Sequence, residues 1–306
     1  MRKKDNFCNC IMMDDHQRIL LSPAAHLDGV NCFFDFFKID RKKPDLKFLE
    51  EILFHFENFP YENISKIIKL HNNWNSENKI RLPEEVIKDH ISHGLGGTCF
   101  SLTFFLQSIL TQNGFISYPV MADMRSGKNI HCFLIVVLSA VKYLVDPGYL
   151  LKKTFEINPE KHQTVRHEFS DIELKFDQNN QSYNLFSSNK FETKWRYRFQ
   201  DKPVPPDKFL RHWLASFGWN SMHRIYLTKM RKDGLFFVRN DFMRKATFEE
   251  KNNYNIKKNF HSVIYNMFGI DKELSEQGRS TLRMNLERER ASGLWTPKYI
   301  NNHEDH

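Results

Sequence analysis

Apolar residues in the first third of the chain recur at helical spacing. In "PDLKFLEEILFHFENF", from Pro44, they fall at Leu46, Phe48, Leu49, Ile52, Leu53 and Phe56, behind a Pro-Asp start that suits a helix N-terminus. Pro60 in "PYENISKI" breaks that pattern, and "PEEVIKDHIS" (83–92) predicts a second, shorter helix opened by Pro83 and two glutamates. Gly94, Gly96 and Gly97 interrupt it. Thr98-Cys99 then opens a third helix, in "GTCFSLTFFL", running to about Asn113-Gly114. The basic stretches "RKK" (41–43) and "KIIKLHNN" (66–73) read as solvated faces.

The period shortens after Gly114. "ISYPVMADM" (116–124), "HCFLIVVLS" (131–139) and "KYLVD" (142–146) predict strands, as do four short runs between 164 and 200, "TVRHEFS", "IELKFD", "SYNLFS" and "KWRYRFQ". Short strands at close spacing point to an antiparallel sheet closing into a barrel. The proline-rich "DKPVPPD" (201–207) marks a boundary. Beyond it a helix, a hairpin turning at Asp233-Gly234 and a second helix, "KNFHSVIYNMFGI", are predicted, and no element is placed after Asp271. The organisation expected is a loose arm over 1–25, a helical domain over 26–114, a β-barrel domain over 115–205, an α/β domain over 206–272 and a charged tail over 273–306.

Composition narrows the classes. With 306 residues, 41% hydrophobic content and 28 phenylalanines, the chain can bury a substantial core. Its net charge of +8 suits an anionic cofactor or partner. The charge is spread along the chain, and no zinc-finger, RNP-like or helix-turn-helix pattern suggests a nucleic-acid partner. No stretch approaches the roughly 18 apolar residues of a membrane span, so no membrane partner is expected. Five cysteines without framework spacing, and no apolar leader, suggest a cytoplasmic protein. Cys8, Cys10 and His16 are a weak metal pattern, and no metal is expected.

A thiol nucleophile needs a base, and the base needs an orienting group. Cys99 stands at a helix start, where the dipole favours a thiolate. His131 opens an otherwise apolar strand, and Asp146 ends the next one. A hairpin with its turn at Ser139–Val141 would bring these two side by side. Packing for Cys99, a surface role for His131 and an ordinary turn role for Asp146 are the competing readings, weaker for the ordered set than for each residue alone.

The ordered set resembles the arylamine N-acetyltransferases. The family signature R-G-G-x-C-x-E-x-N is met by "LGGTCFSLT" (95–103), its strand-opening histidine by "HCFLIVVL" (131–138), and its V-D-x-G-[FY] strand end by "YLVDPGY" (143–149). Upstream "FHFENFPYENIS" and downstream "IYLTKMRKDGLFFVRNDFMRK" and "MFGID" follow the family order, so the resemblance runs over roughly residues 30 to 272. It implies an α+β fold of three lobes: an N-terminal helical bundle, a central antiparallel β-barrel and a C-terminal α/β lid, with a papain-like arrangement of the triad. It also implies ping-pong acetyl transfer from acetyl-CoA to an arylamine, hydrazine or related amine, with Cys99 as nucleophile, His131 as base and Asp146 as its orienter. Gly127, Lys128 and Thr228 fall where the family contacts coenzyme A, with Arg125 nearby. The partners implied are a small-molecule amine acceptor and an acyl-CoA, and oligomeric state is left open.

The signature is incomplete here. Leu95, Ser101 and Thr103 replace its arginine, glutamate and asparagine, and Pro147-Gly148-Tyr149-Leu150 alters the turn after Asp146. The family's first-lobe arginine falls at Lys38, which implies a shorter ion pair to Glu62. These departures keep two other readings open: an amide synthase or thiol hydrolase/transamidase using the same triad, and a catalytically weak binding protein of the same fold.

Overall fold

The computed structural model describes residues 20–149, 151 and 153–294. The loose arm and the Cys8-Cys10-His16 pattern fall almost wholly outside them. In the first lobe, α1 (Leu27–Phe37) and α2 (Leu46–Phe56) precede a two-residue strand, β1 (Tyr61–Glu62), and then α3 (Ile64–Asn72), α4 (Pro83–His93) and α5 (Cys99–Gln112) follow. Asp45 caps α2 through its carboxylate, accepting from the Phe48 amide at 2.7 Å. Phenylalanines dominate the core between α1, α2, α4 and α5, among them Phe33, Phe48, Phe56, Phe59 and Phe105. Helix α5 is apolar on almost all sides and runs through the centre of the molecule.

The second lobe is a single antiparallel sheet of β2 (Ile116–Met124), β3 (Gly127–Leu138), β4 (Val141–Val145), β5 (Phe155–Glu156), β6 (Gln163–Arg166), β7 (Asp171–Asp177), β8 (Ser182–Ser188) and β9 (Thr193–Phe199). Their order is β5-β4-β3-β2-β9-β8-β7-β6. The sheet curls until its edges nearly meet, where the Glu156 amide donates to Gln163 Oε1 at 2.8 Å. Ser139 and Ala140, both with positive φ (48° and 67°), make the tight turn between β3 and β4.

In the third lobe, α6 (Pro206–Ala215) leads into β10 (Tyr226–Arg231), β11 (Gly234–Arg239), β12 (Phe242–Ala246) and β13 (Lys251–Asn255), followed by α7 (Phe260–Phe268) and α8 (Lys272–Ala291). The first-lobe strand β1 completes this sheet by pairing with β10, Tyr61 opposite Thr228. Asn63 locks the junction: its Nδ2 donates to the Arg224 carbonyl at 2.8 Å and its Oδ1 accepts from the Tyr226 amide at 2.8 Å. The first and third lobes therefore share a sheet.

Three helices differ from the sequence expectation. Helix α1 carries Val30, Phe33 and Phe34 inward at helical spacing, in a stretch for which no element is predicted from the sequence. The "KIIKLHNN" stretch is not a solvated face: α3 buries Lys66 together with Ile67 and Leu70. The charged segment after Asp271 forms α8, packed on α3. Its buried face is Ser275, Gly278, Thr281, Leu282 and Asn285, small and polar, so it leaves no hydrophobic period to read. Asn285 donates to the Ile67 carbonyl at 3.1 Å, and a Cβ at Gly278 would lie 2.7 Å from Ile64 Cγ2. Close helix contact explains both residues.

Candidate active site

Cys99 is the first residue of α5, and the loop before it is built by glycine. A Cβ on Gly96 would stand 1.9 Å from the Pro60 carbonyl oxygen, so only glycine lets this loop lie against β1. The Glu62 amide then donates to the Gly97 carbonyl at 3.0 Å. Arg81 braces the same loop from below. Its guanidinium donates to the Gly96 carbonyl and to Ser65 Oγ, both at 2.6 Å, and to Asp89 at 2.7 Å.

That placement corrects the expected Lys38–Glu62 pair. Lys38 is exposed at the end of α1, whereas Glu62 is wholly buried, accepts from Ser65 and lies 3.7 Å from Arg81. Arg81, from the loop before α4, is the cation that lies beside buried Glu62.

The β3–β4 register places His131 and Asp146 as the hairpin argument requires. Leu134 pairs with Val145, so His131 and Asp146 emerge together at the open end. His131 Nε2 and Asp146 Oδ2 are 2.7 Å apart, which leaves Nδ1 of the ring for the thiol. Asp146 is fully buried and further held by the Tyr197 hydroxyl at 2.8 Å and the Tyr149 amide at 2.9 Å. Gly148 fills the gap between Cys99 and His131: a Cβ there would lie 2.7 Å from Cys99 Cβ and 3.1 Å from His131 Cε1.

The electrostatics follow from that packing. A hydrogen bond with the neighbouring Cys132 thiol, and the interaction with His131, hold Cys99 well below the usual thiol range against the opposing effect of burial. Lys66 acts in the same direction. Burial alone would lower His131, but the Asp146 charge and hydrogen bond, with a smaller push from Cys99, raise it to about 10. Cys99 and His131 are thus disposed as thiolate and imidazolium. Lys66 donates to the Ser216 hydroxyl at 2.6 Å and carbonyl at 3.0 Å, with Phe217 4.5 Å below it. Burial lowers it to about 8.

Two signature departures acquire a structural meaning. Thr103, one turn beyond Cys99, donates to the Cys132 carbonyl at 3.2 Å and so ties the helix of Cys99 to the strand of His131. Ser101 turns back onto its own helix, donating to the Thr98 carbonyl at 3.1 Å.

The thiol opens into a cleft of about 410 Å³ between the barrel and the third lobe, lined by Tyr61, His131, Tyr149, Thr228 and Phe237 among others. Of the residues singled out for the coenzyme, Thr228 lies in this cleft. Lys128 instead lines a separate groove of about 650 Å³ with Asp123, Arg198 and Lys208, and Gly127, the first residue of β3, lines neither. No group of three or more histidine, cysteine or carboxylate residues that could hold a metal occurs among the described residues.

A thiol, an imidazole and a carboxylate in this order, at a cleft between the barrel and the third lobe, are competent for nucleophilic acyl transfer. Comparison with known proteins agrees with that class. A family model described as N-acetyltransferase matches residues 45–276, and the chain belongs to the arylamine N-acetyltransferase family. The fold is similar to that of the arylamine N-acetyltransferase from Mycobacterium abscessus, with 15% identity, 89% of this chain and 99% of that chain covered, and a TM-score of 0.72. The Nocardia farcinica enzyme is similar at 16% identity, 85% and 99% coverage and a TM-score of 0.68. One from Bacillus cereus, described as having a unique Cys-His-Glu catalytic triad, is similar at 17% identity, 80% and 99% coverage and a TM-score of 0.61. No curated protein matches the chain significantly. Among the described residues, no helix is long and apolar enough to cross a membrane.

Proposed function

We propose that the enzyme moves an acetyl group from acetyl-CoA, through a thioester on Cys99, to an arylamine, hydrazine or related amine. The observation that carries this reading is the bond between His131 Nε2 and buried Asp146 at 2.7 Å, which leaves the other ring nitrogen to Cys99. The Cys99 thiolate attacks the acetyl carbonyl. The carbon–sulfur bond to coenzyme A breaks, and the departing thiolate takes the proton from His131. In the second half-reaction the amine nitrogen attacks the Cys99 thioester, His131 accepts the amine proton, and Cys99 leaves as thiolate.

The first amides of α5 have no partner within the helix, and they face the developing oxyanion in this scheme. Thr228 and the cleft wall meet the donor. Cys32, Cys99 and Cys132 carry free thiols, which fits a reducing cytoplasm. Initial rates with acetyl-CoA and an arylamine, both varied, test the proposal. Parallel double-reciprocal lines are expected, abolished in Cys99→Ala. Intersecting lines, or turnover that survives Cys99→Ala, would reject the thioester route.

A further inference from the structure

The barrel carries one irregularity that faces the cleft. Between β8 and β9 the register runs Leu185 opposite Tyr197 and then Phe186 opposite Trp195, so Arg196 is an extra residue with no partner across the ladder. Such a bulge re-aims the side chain it carries, and bulges concentrate beside active sites. Here it directs Arg196 into the Cys99 cleft, where Nε donates to Ser187 Oγ at 2.6 Å and the guanidinium carbon stands 5.8 Å from the Tyr149 ring. Arg196 is half-buried and makes no ion pair among the described residues.

The facing wall repeats the charge. Arg244 of β12 lines the same cleft and, among the described residues, is bonded only to the neutral Asn253 Oδ1 at 2.9 Å. Lys194 and Lys251 share a single carboxylate, Glu192. Four cations therefore meet one carboxylate around a cleft whose remaining wall includes Tyr149, Phe169, Leu235 and Phe237. A partly desolvated guanidinium with free N–H groups is suited to a planar or tetrahedral anion.

We propose that Arg196, seconded by Arg244, is an anion-recognition point, so that a molecule entering the cleft presents a carboxylate or phosphate to it. This rests on the acyl-transfer reading. The anion has two chemical sources, a carboxylate on the amine acceptor or a phosphate of the coenzyme A donor.

Paired substrates separate these sources. The full chain, Arg196→Met and Arg196→Lys are compared with 4-aminobenzoate against its methyl ester, and with acetyl-CoA against acetyl-pantetheine, which lacks the phosphates. If the acceptor supplies the anion, Arg196→Met lowers the acid-to-ester ratio of kcat/KM about tenfold or more, and Arg196→Lys lowers it less. If the donor supplies it, the ratio for acetyl-CoA over acetyl-pantetheine falls instead. Both ratios unchanged in both variants, with wild-type melting temperatures, would overturn the proposal. Absence of acetyl transfer by the wild-type protein would reject the acyl-transfer reading alone. Calorimetric titration with 4-nitrobenzoate and with ADP then decides the anion site: binding weakened by Arg196→Met supports it, and no binding, or binding unaffected by the substitution, overturns it.

Discussion

Thr103 Oγ1 donates to the Cys132 carbonyl at 3.2 Å, and this bond joins the helix that carries Cys99 to the strand that carries His131. The hydroxyl is fully buried, so a methyl in its place leaves the carbonyl without that donor. Thr103→Val should cost about 1–2 kcal/mol in chemical denaturation and lower kcat/KM without abolishing Cys99 acetylation. An unchanged midpoint and unchanged kinetics would show that the two elements are positioned by packing alone.

Asp146 is oriented from two sides. Burial and the Asp146 charge keep the Tyr197 phenol protonated far above its usual range, so it remains a donor to the carboxylate. Tyr197→Phe should reduce kcat/KM roughly 3- to 10-fold, the cost of one hydrogen bond to the carboxylate behind the imidazole. Full activity in this variant would make the phenol a spectator.

Thiol reactivity should depend on pH in a particular way. Because Cys99 is held well below the usual thiol range, alkylation by iodoacetamide should be fast at neutral pH and fall only on acidification. The imidazolium is retained until about pH 10, so acyl transfer should show its alkaline limb there. Lys66→Met removes a buried cation that favours the thiolate, moving the acid limb to higher pH and slowing alkylation several-fold at weakly acidic pH. The alkaline limb should stay in place. An acid limb unmoved by Lys66→Met would remove the lysine from the account.

The first-lobe ion pair gives a stability test with a built-in contrast. Arg81→Met leaves Glu62 buried without its cation and strips a donor from Gly96, and should destabilise by about 3–5 kcal/mol in urea denaturation. Lys38→Asn, at an exposed residue whose φ of 56° asparagine tolerates, should leave the midpoint unchanged. Equal effects of the two would mean that Glu62 does not rely on Arg81.

The sequence made some of this legible for a definite reason. His131 and Asp146 each border an apolar run, where a polar residue breaks the pattern, and Cys99 stands at a helix start after a glycine turn. Residues inside a pattern stayed hidden. Lys66 sits in a stretch that looks like an ordinary basic surface, and Tyr197 fits the alternation of its strand. Arg81 occupies a loop without periodicity, and α8 buries polar residues that no hydrophobic count detects. Arg196 is conspicuous only once the strand register exposes the bulge.

The central claim is that Cys99 carries the acyl group. The intact mass of the protein, taken after incubation with acetyl-CoA and no amine, tests it most directly. The expected result is a gain of one acetyl group that peptide mapping assigns to Cys99, that Cys99→Ala lacks, and that an added arylamine discharges. An unmodified Cys99, or an acetyl group found only on lysines, would contradict it.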